Sequence, residues 1–361
     1  MLNIARSKRL TIMRLTNRKP SQTGRLFAFN TMRFLRASTP RKLANFCVVK
    51  IERALRRDHL WGMPYRFHID TLNACNLRCP LCPTGLGTLQ RPRGKMTMEQ
   101  FRHIIDQIAP YAYYLNLYNW GEPLLHPEIC DMIRYATDKG ITVSISSNLN
   151  RMDEALADKL VESGLSEIIV SIDGASQATY EKYRRRGRLS VVLENLARLV
   201  QAKRRLHSPS PFILVRMLIH KHNAHEISSL RETVTALGTD SFTTTPLFID
   251  PRNPEHVQEW LPEDENKSYY EYSAGTMENT WNCADLWESC TINWDGGLAP
   301  CCWLQNPAHD IVNVLETPLR TIWNGDAYIS SRRVFSIGGP KQGPQKTICT
   351  KCRGRPEYLT Y

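Results

Sequence analysis

The sequence predicts an α/β fold: an open or partial barrel of six strand-then-helix units, followed by a small Cys-rich C-terminal domain. Three observations predict it. Between Tyr65 and Ile249, short β-rich runs alternate with helical patterns at crossover-sized gaps, the pattern of a parallel sheet covered by helices. A loop directly after the first run carries three close cysteines, Cys75, Cys79 and Cys82. Six more cysteines crowd residues 283–352.

The 361 residues suffice for one large domain and a smaller one, and 42% apolar content suits a globular chain. No stretch approaches 18 uninterrupted apolar residues, so no transmembrane helix is predicted. The N-terminus has no apolar signal region, and a cytoplasmic location is expected. In a reducing compartment, close Cys spacings among eleven cysteines mean metals or redox centres rather than disulfides.

The net charge of +12 is localised. Residues 1–50 hold twelve of the 47 basic side chains and none of the 35 acidic ones, so residues 51–361 are neutral overall. A nucleic-acid-binding catalytic domain would carry its own basic face, and none is expected here.

Residues 1–38 have no clear period and are expected to be a weakly ordered basic leader. An acid-free leader also fits a mitochondrial transit peptide. In residues 39–60, Ser38-Thr39-Pro40 is a helix start, and Leu43, Cys47, Ile51 and Leu55 recur at fourfold spacing. This basic amphipathic helix either packs on its own domain or makes a peripheral contact with an anionic membrane.

The core, residues 61–250, holds strands at Tyr65–Thr71, Tyr113–Tyr118, Ile141–Ser146, Glu167–Ile172, Phe212–Ile219 and Ser241–Phe248. Helices are expected near Met98–Ile108, Glu128–Lys139, Glu154–Glu162, Val191–Arg205 and Glu226–Leu237. Ligand sites in such folds lie at the C-terminal ends of the strands. Residues 251–282 read as a linker. Within it Tyr269, Tyr270 and Tyr272, with Trp281, form an aromatic stripe that suits either core or a pocket wall. Residues 283–361 form the C-terminal domain.

Cys75-Asn76-Leu77-Arg78-Cys79-Pro80-Leu81-Cys82 has the spacing C-x3-C-x2-C. Soft thiolates select iron–sulfur clusters or zinc, but structural zinc wants four closed ligands and this loop offers three. His68, upstream in the strand, reads as a packed side chain. The spacing and its place after the first strand resemble the radical SAM superfamily over roughly residues 65–250. The resemblance implies a [4Fe-4S] cluster on Cys75, Cys79 and Cys82, with S-adenosylmethionine (SAM) on the open iron. Reduction then releases a 5′-deoxyadenosyl radical that abstracts a substrate hydrogen.

Later strands supply further expected contacts. Gly121-Glu122-Pro123 after the second strand looks like the family's GGEP element with Trp120 in place of the first Gly, and Glu122 is expected to meet the methionine ammonium. Ser146 and Asn148 end the third strand, and Ser171 and Asp173 the fourth. The resemblance implies that these reach the ribose and the methionine carboxylate. Arg216 is a weaker candidate.

Cys283-x12-Gly296-x4-Cys301, with Cys349-x2-Cys352, resembles the SPASM extension of many radical SAM enzymes. It implies a second, auxiliary [4Fe-4S] cluster on Cys283, Cys301, Cys349 and Cys352, although four thiolates also suit zinc. Cys290 and Cys302 are left out of that set. Asn293-Trp294-Asp295-Gly296-Gly297 reads as a tight hairpin turn.

The expected activity is hydrogen abstraction from a small polar metabolite of sugar, cyclitol or aminoglycoside type, with net oxidation of an alcohol and a reducing partner such as flavodoxin or ferredoxin. The alternatives are a peptide maturase, an epimerase using Cys290 or Cys302 as hydrogen donor, and a non-catalytic metal-binding scaffold. Maturases carry an N-terminal winged-helix peptide-recognition module, and residues 1–60 are too basic and too poor in strand for one. No residue is assigned as the substrate's acid or base. All motifs lie beyond residue 38, so deleting the leader is expected to leave them working.

Overall fold

The computed structural model describes residues 20–249, 253–264, 283–335 and 347–351. Residues 20–37, expected to be weakly ordered, instead form helix α1 (Pro20–Ala37). Helix α2 (Pro40–Ala54) follows, with the Thr39 hydroxyl accepting from the Lys42 amide and Pro40 opening the first turn.

The barrel units then run in order: β1 (Arg66–Ile69), α3 (Pro83–Leu86), α4 (Met98–Ile108), β2 (Tyr114–Asn116), α5 (Ile129–Asp138), β3 (Thr142–Ser147), α6 (Glu154–Glu162) and β4 (Glu167–Ser171). They continue through α7 (Gln177–Tyr183), α8 (Leu189–Arg205), β5 (Phe212–Ile219), α9 (Ile227–Leu237) and β6 (Ser241–Pro246). No end of the six expected strands or five expected helices shifts by more than two residues. Helix α4 shows why such segments are legible. A Thr97–Gln100 capping box starts it, and Phe101, Ile104, Ile105 and Ile108 bury one face. Helices α3 and α7 were not expected, nor was α10 (Pro254–Trp260) in the predicted linker. Tyr269, Tyr270, Tyr272 and Trp281 lie outside the described residues.

Strands β1 to β6 are parallel neighbours in chain order. Successive side chains point to opposite faces. Phe67, Ile69, Leu115, Val143, Ile145, Ile168, Val170, Ile213 and Val215 join one buried cluster with the helices. The alternate positions, among them Arg66, His68, Asn116, Ser144, Ser146, Glu167 and Arg216, make the concave side polar. A polar interior is what a ligand-binding barrel requires.

The C-terminal segment continues the same sheet. Helix α11 (Asp285–Glu288) leads into β7 (Ser289–Ile292), which pairs parallel to β1. Strands β8 (Gly297–Ala299) and β9 (Val312–Asn313) extend it antiparallel, giving nine strands in the order β6-β5-β4-β3-β2-β1-β7-β8-β9. The barrel is therefore open. Helices α12 (Leu319–Trp323) and α13 (Asp326–Arg333) cover the hairpin, with Trp287, Trp323 and Tyr328 buried in the common core.

Helix α1 crosses the N-terminal ends of the strands. Phe29 stacks on Phe212 at 4.3 Å and Phe34 on Tyr113 at 4.7 Å. Arg33 pairs with Glu167 at 3.1 Å and donates to the Ser144 hydroxyl at 3.1 Å. With Arg66, Tyr114 and Asn116 these residues line a polar pocket of about 340 Å³ beneath the helix.

Helix α2 packs on the domain, but with the face opposite to its apolar stripe. Lys42, Val49 and Glu52 are buried, whereas Leu43, Cys47, Ile51 and Leu55 face outward. Polar bonds hold this orientation: Lys42 Nζ donates to the Gly140 carbonyl at 2.7 Å, and Glu52 accepts from the Trp61 and Gly62 amides at 2.7 and 3.1 Å. No helix among the described residues is long and apolar enough to cross a membrane.

Candidate active site at the C-terminal ends of the strands

The cysteine loop leaves β1 and is pinned from below by α3. A Cβ on Gly85 would lie 2.5 Å from the Cys79 carbonyl, so only glycine lets the helix approach. Burial pushes the Cys75 thiol up to about 11 and the Cys79 thiol up to about 12. Those positions already include the rise from the neighbouring thiols and the opposing pull of the Arg184 guanidinium. Among the described residues no three His, Cys, Asp or Glu side chains gather around one ion. In a cluster each thiolate takes a different iron, so the three sulfurs need only face one cavity. Three soft donors on one short loop, screened by Leu77, Tyr183, Leu247 and Trp260, fit that group.

Asn148 and Glu122 meet at the loop, and Asp173 reaches it through Arg184. Asn148, just past β3, donates its amide to the Asn76 side chain at 3.0 Å and toward Cys75 Sγ at 3.7 Å. Glu122 is buried and accepts three hydrogen bonds, from the Leu124 amide (3.1 Å), the Ser147 hydroxyl (2.7 Å) and the Asn148 amide (2.8 Å). Burial raises its pKa, and these donors oppose the rise. A carboxylate offers about four acceptor sites. One therefore remains for an ammonium. Gly121 is forced: a Cβ there would fall 2.0 Å from the Leu72 carbonyl. Pro123 opens a 3₁₀ turn that follows Glu122.

Asp173, fully buried, pairs with Arg184 at 2.5 Å and accepts the Leu218 amide at 2.7 Å. Each oxygen of its carboxylate thus accepts one hydrogen bond from within the protein. Burial would lower the Arg184 pKa, but Asp173 and Cys79 more than reverse this. Arg184 also lies 4.0 Å from Cys79 Sγ. Ser146 accepts from Arg216 at 3.3 Å, and the buried Nε of Arg216 has no partner among the described residues. Ser171 is buried on β4 and pairs in register with Arg216.

At the other cysteine set, Gly296 (φ +85°) makes the expected tight turn, with the Gly296 amide donating to the Asn293 carbonyl at 2.9 Å. Cys283 and Cys349 pack against the core, and burial pushes Cys301 well up, with Cys302 and Cys349 adding to the rise. Cys352 lies outside the described residues. Cys290 pairs in register with Phe67, so it faces the helical layer rather than the barrel interior. Cys302 is nearer the mouth, where its carbonyl accepts from Asn119 at 3.1 Å.

With both thiol sets and the Gly121-Glu122-Pro123 turn in place, the comparisons with known proteins decide the family. Residues 69–259 match the Radical SAM superfamily, and residues 283–353 match SPASM, an iron–sulfur cluster-binding domain. The chain belongs to the radical SAM superfamily. It is 25% identical over 325 residues to the AdoMet-dependent heme synthase of Methanosarcina barkeri, spanning 79% of this chain and 90% of that protein. It is 22% identical to the tungsten-containing aldehyde ferredoxin oxidoreductase cofactor-modifying protein of Pyrococcus furiosus, over 72% of this chain and 81% of that one. In fold it is similar to Streptococcus suis SuiB bound to S-adenosylmethionine (TM-score 0.60, 15% identity, 80% of this chain and 72% of SuiB). It is also similar to anSMEcpe with bound AdoMet (TM-score 0.53, 14% identity, 73% and 81%). This radical SAM protein uses SAM and iron–sulfur clusters as its cofactors.

Several residues of the radical SAM site carried no sequence signal. Asp70 accepts the Gly121 amide at 3.2 Å, and burial pushes its carboxyl up to about 7. Arg184 lies eleven positions beyond its partner, at the end of the unexpected helix α7. Arg91, buried, reaches Asp295 at 2.5 Å and Asp310 at 2.6 Å. Trp294 closes over Gly94 and donates to the Pro92 carbonyl at 3.1 Å. Together these clamp the segment after the cysteine loop to the SPASM hairpin.

Proposed function

We propose that this radical SAM enzyme oxidises a C–OH group of a small, non-peptide polar metabolite to a carbonyl. When bound, SAM and the first cluster supply a 5′-deoxyadenosyl radical that takes one hydrogen atom from substrate, and the second cluster supplies an acceptor for one electron. Loss of the hydrogen atom, then of one electron with a proton released to water, converts H–C–OH to C=O. Cys75, Cys79 and Cys82 hold the first cluster, and Cys283, Cys301, Cys349 and Cys352 the second. Glu122 takes the methionine ammonium, Asn148 orients the cysteine loop, and Ser146 and Ser171 meet SAM or substrate. Asp173 acts as a positioning residue by fixing Arg184.

The observation that carries the radical-generating part of the reading is the meeting of Cys75, Asn148 and Glu122 in one hydrogen-bonded network at the strand ends. Three others support the substrate class. The interior is polar, with the Arg216 guanidinium bonded to a hydroxyl and to no carboxylate among the described residues. Residues 20–54 form two helices that pack on the barrel, not a strand-containing recognition module. The relatives that align along most of the chain are named for a heme synthase and a cofactor-modifying protein, which supports a non-peptide substrate. The place of Cys290 on the outer face removes one of the two thiols an epimerase could use, leaving Cys302.

The test is anaerobic incubation with dithionite, SAM and pools of sugars, cyclitols and other polyols. One pool should raise 5′-deoxyadenosine above the uncoupled rate, with one carbonyl formed per deoxyadenosine, and Cys302→Ala should still make the carbonyl. Solvent deuterium at the reacting carbon, or stimulation by peptides alone, would overturn the proposal.

A further inference from the structure

Helix α2 presents to solvent the face that a globular helix normally buries. At 100° per residue, Leu43, Cys47, Ile51 and Leu55, with Ala44 and Ala54, occupy one continuous arc, and every one of them is exposed. Leu43 is 46% exposed, Ile51 58% and Leu55 53%. No polar side chain interrupts the arc, and Arg41 and Lys50 border it on its two sides. The face cannot roll inward, because Lys42, Glu52, Lys50 and Arg53 anchor the other side, the last two to Glu288 at 2.6 Å.

Trp61 extends the patch beyond the helix C-terminus. It is 78% exposed, its amide donates to Glu52, and the Arg57 guanidinium lies 5.7 Å from its ring centre. An exposed Trp beside Arg, next to an aliphatic stripe, is the composition of a membrane–water interface.

The surrounding charge selects the occupant. In sequence, residues 1–50 carry twelve basic and no acidic side chains, and among the described ones Arg36 and Arg41 are exposed. Arg36, Arg41 and Arg57 form no ion pair among the described residues, and Arg41 and Arg320 converge on the Tyr111 hydroxyl at 2.9 and 3.1 Å. A second copy of this chain would bring two basic borders together and repel. An anionic lipid surface complements both the stripe and its border.

We infer that α2 and Trp61 form a peripheral docking surface for an anionic membrane. The apolar arc enters the headgroup–acyl boundary, and the flanking arginines meet lipid phosphates. This inference is independent of the reaction catalysed, since none of these residues belongs to the cluster or SAM site.

The test is co-sedimentation of the full chain with phosphatidylcholine vesicles containing about 30 mol% phosphatidylglycerol. Wild type should bind them, and bind pure phosphatidylcholine at least about tenfold more weakly. Salt at about 0.5 M should also weaken binding. Ile51→Asp with Leu55→Asp should lose at least about tenfold in vesicle affinity while keeping iron content and SAM cleavage. Because these positions are exposed, the fold should survive; the milder Trp61→Ala and the Arg36→Gln, Arg41→Gln, Arg57→Gln protein must each bind more weakly too. Equal binding by variants and wild type, or no binding by wild type, would overturn the inference. So would a wild-type dimer that becomes monomeric in the double variant without any vesicle binding, which would make the stripe a self-interface.

Discussion

Glu122 shows how much of this site is set by single buried donors and acceptors. Its three internal hydrogen bonds hold the turn after β2 against the end of β3, and through Asn148 they reach the cysteine loop. Alanine there would orphan three buried donors, each costing roughly 1–3 kcal/mol, so glutamine is the cleaner probe. Glu122→Gln is expected to weaken SAM binding at least about tenfold, the worth of one charge-assisted bond, with iron content unchanged; unchanged affinity in a SAM titration would remove the ammonium site from this residue. Asp70 sets a pH dependence. Its folded pKa, about 7, lies above the unfolded carboxylate range, so the folded state binds the extra proton and stability falls as pH rises toward 7. Thermal melts of the metal-free protein should show this slope, at most about 1.4 kcal/mol per pH unit, and Asp70→Asn should flatten it. The cysteines and the Gly-Glu-Pro turn were legible because their spacing is local. Asp70 and Arg184 were not, because their partners come from other loops.

At the scale of elements, period was legible and facing was not. The fourfold stripe of α2 correctly gave a helix, yet nothing in a period says which side meets the protein. Here buried ion-dipole bonds from Lys42 and Glu52 decided it. The acid-free composition of residues 1–38 concealed α1, whose Arg33 finds its partner Glu167 more than a hundred positions away. Deleting residues 1–38 should therefore lower the melting temperature, even though every motif lies beyond residue 38. Arg33→Met should reproduce part of the loss by leaving Glu167 unpaired, and a melt unchanged in both would mean that α1 contributes nothing to the barrel. Arg91 is the second long-range tie. Arg91→Met strands the half-buried Asp295 and Asp310 beside each other, which lowers stability. Limited proteolysis should then cut the 88–95 segment first, and a protease pattern identical to wild type would contradict the clamp.

At the scale of the molecule, the alternation of β-rich and helical runs was enough to give a parallel, open α/β barrel, because each parallel strand needs its own crossover. The union of the two iron–sulfur regions in one nine-stranded sheet was not legible, since β7 joins β1 across more than two hundred residues. That union puts Cys290 on the outer face and brings the Cys302 segment against Asn119. The chemistry assigned to the chain rests on two separate clusters serving one interior. The measurement that tests this most directly is iron and 5′-deoxyadenosine on the same anaerobically reconstituted samples, wild type against Cys75→Ala, Cys79→Ala, Cys82→Ala. Wild type should hold about eight irons and release 5′-deoxyadenosine with dithionite and SAM, and the triple variant should keep about half the iron and release none. Undiminished SAM cleavage in the triple variant, or stoichiometric zinc in place of iron in wild type, would contradict it.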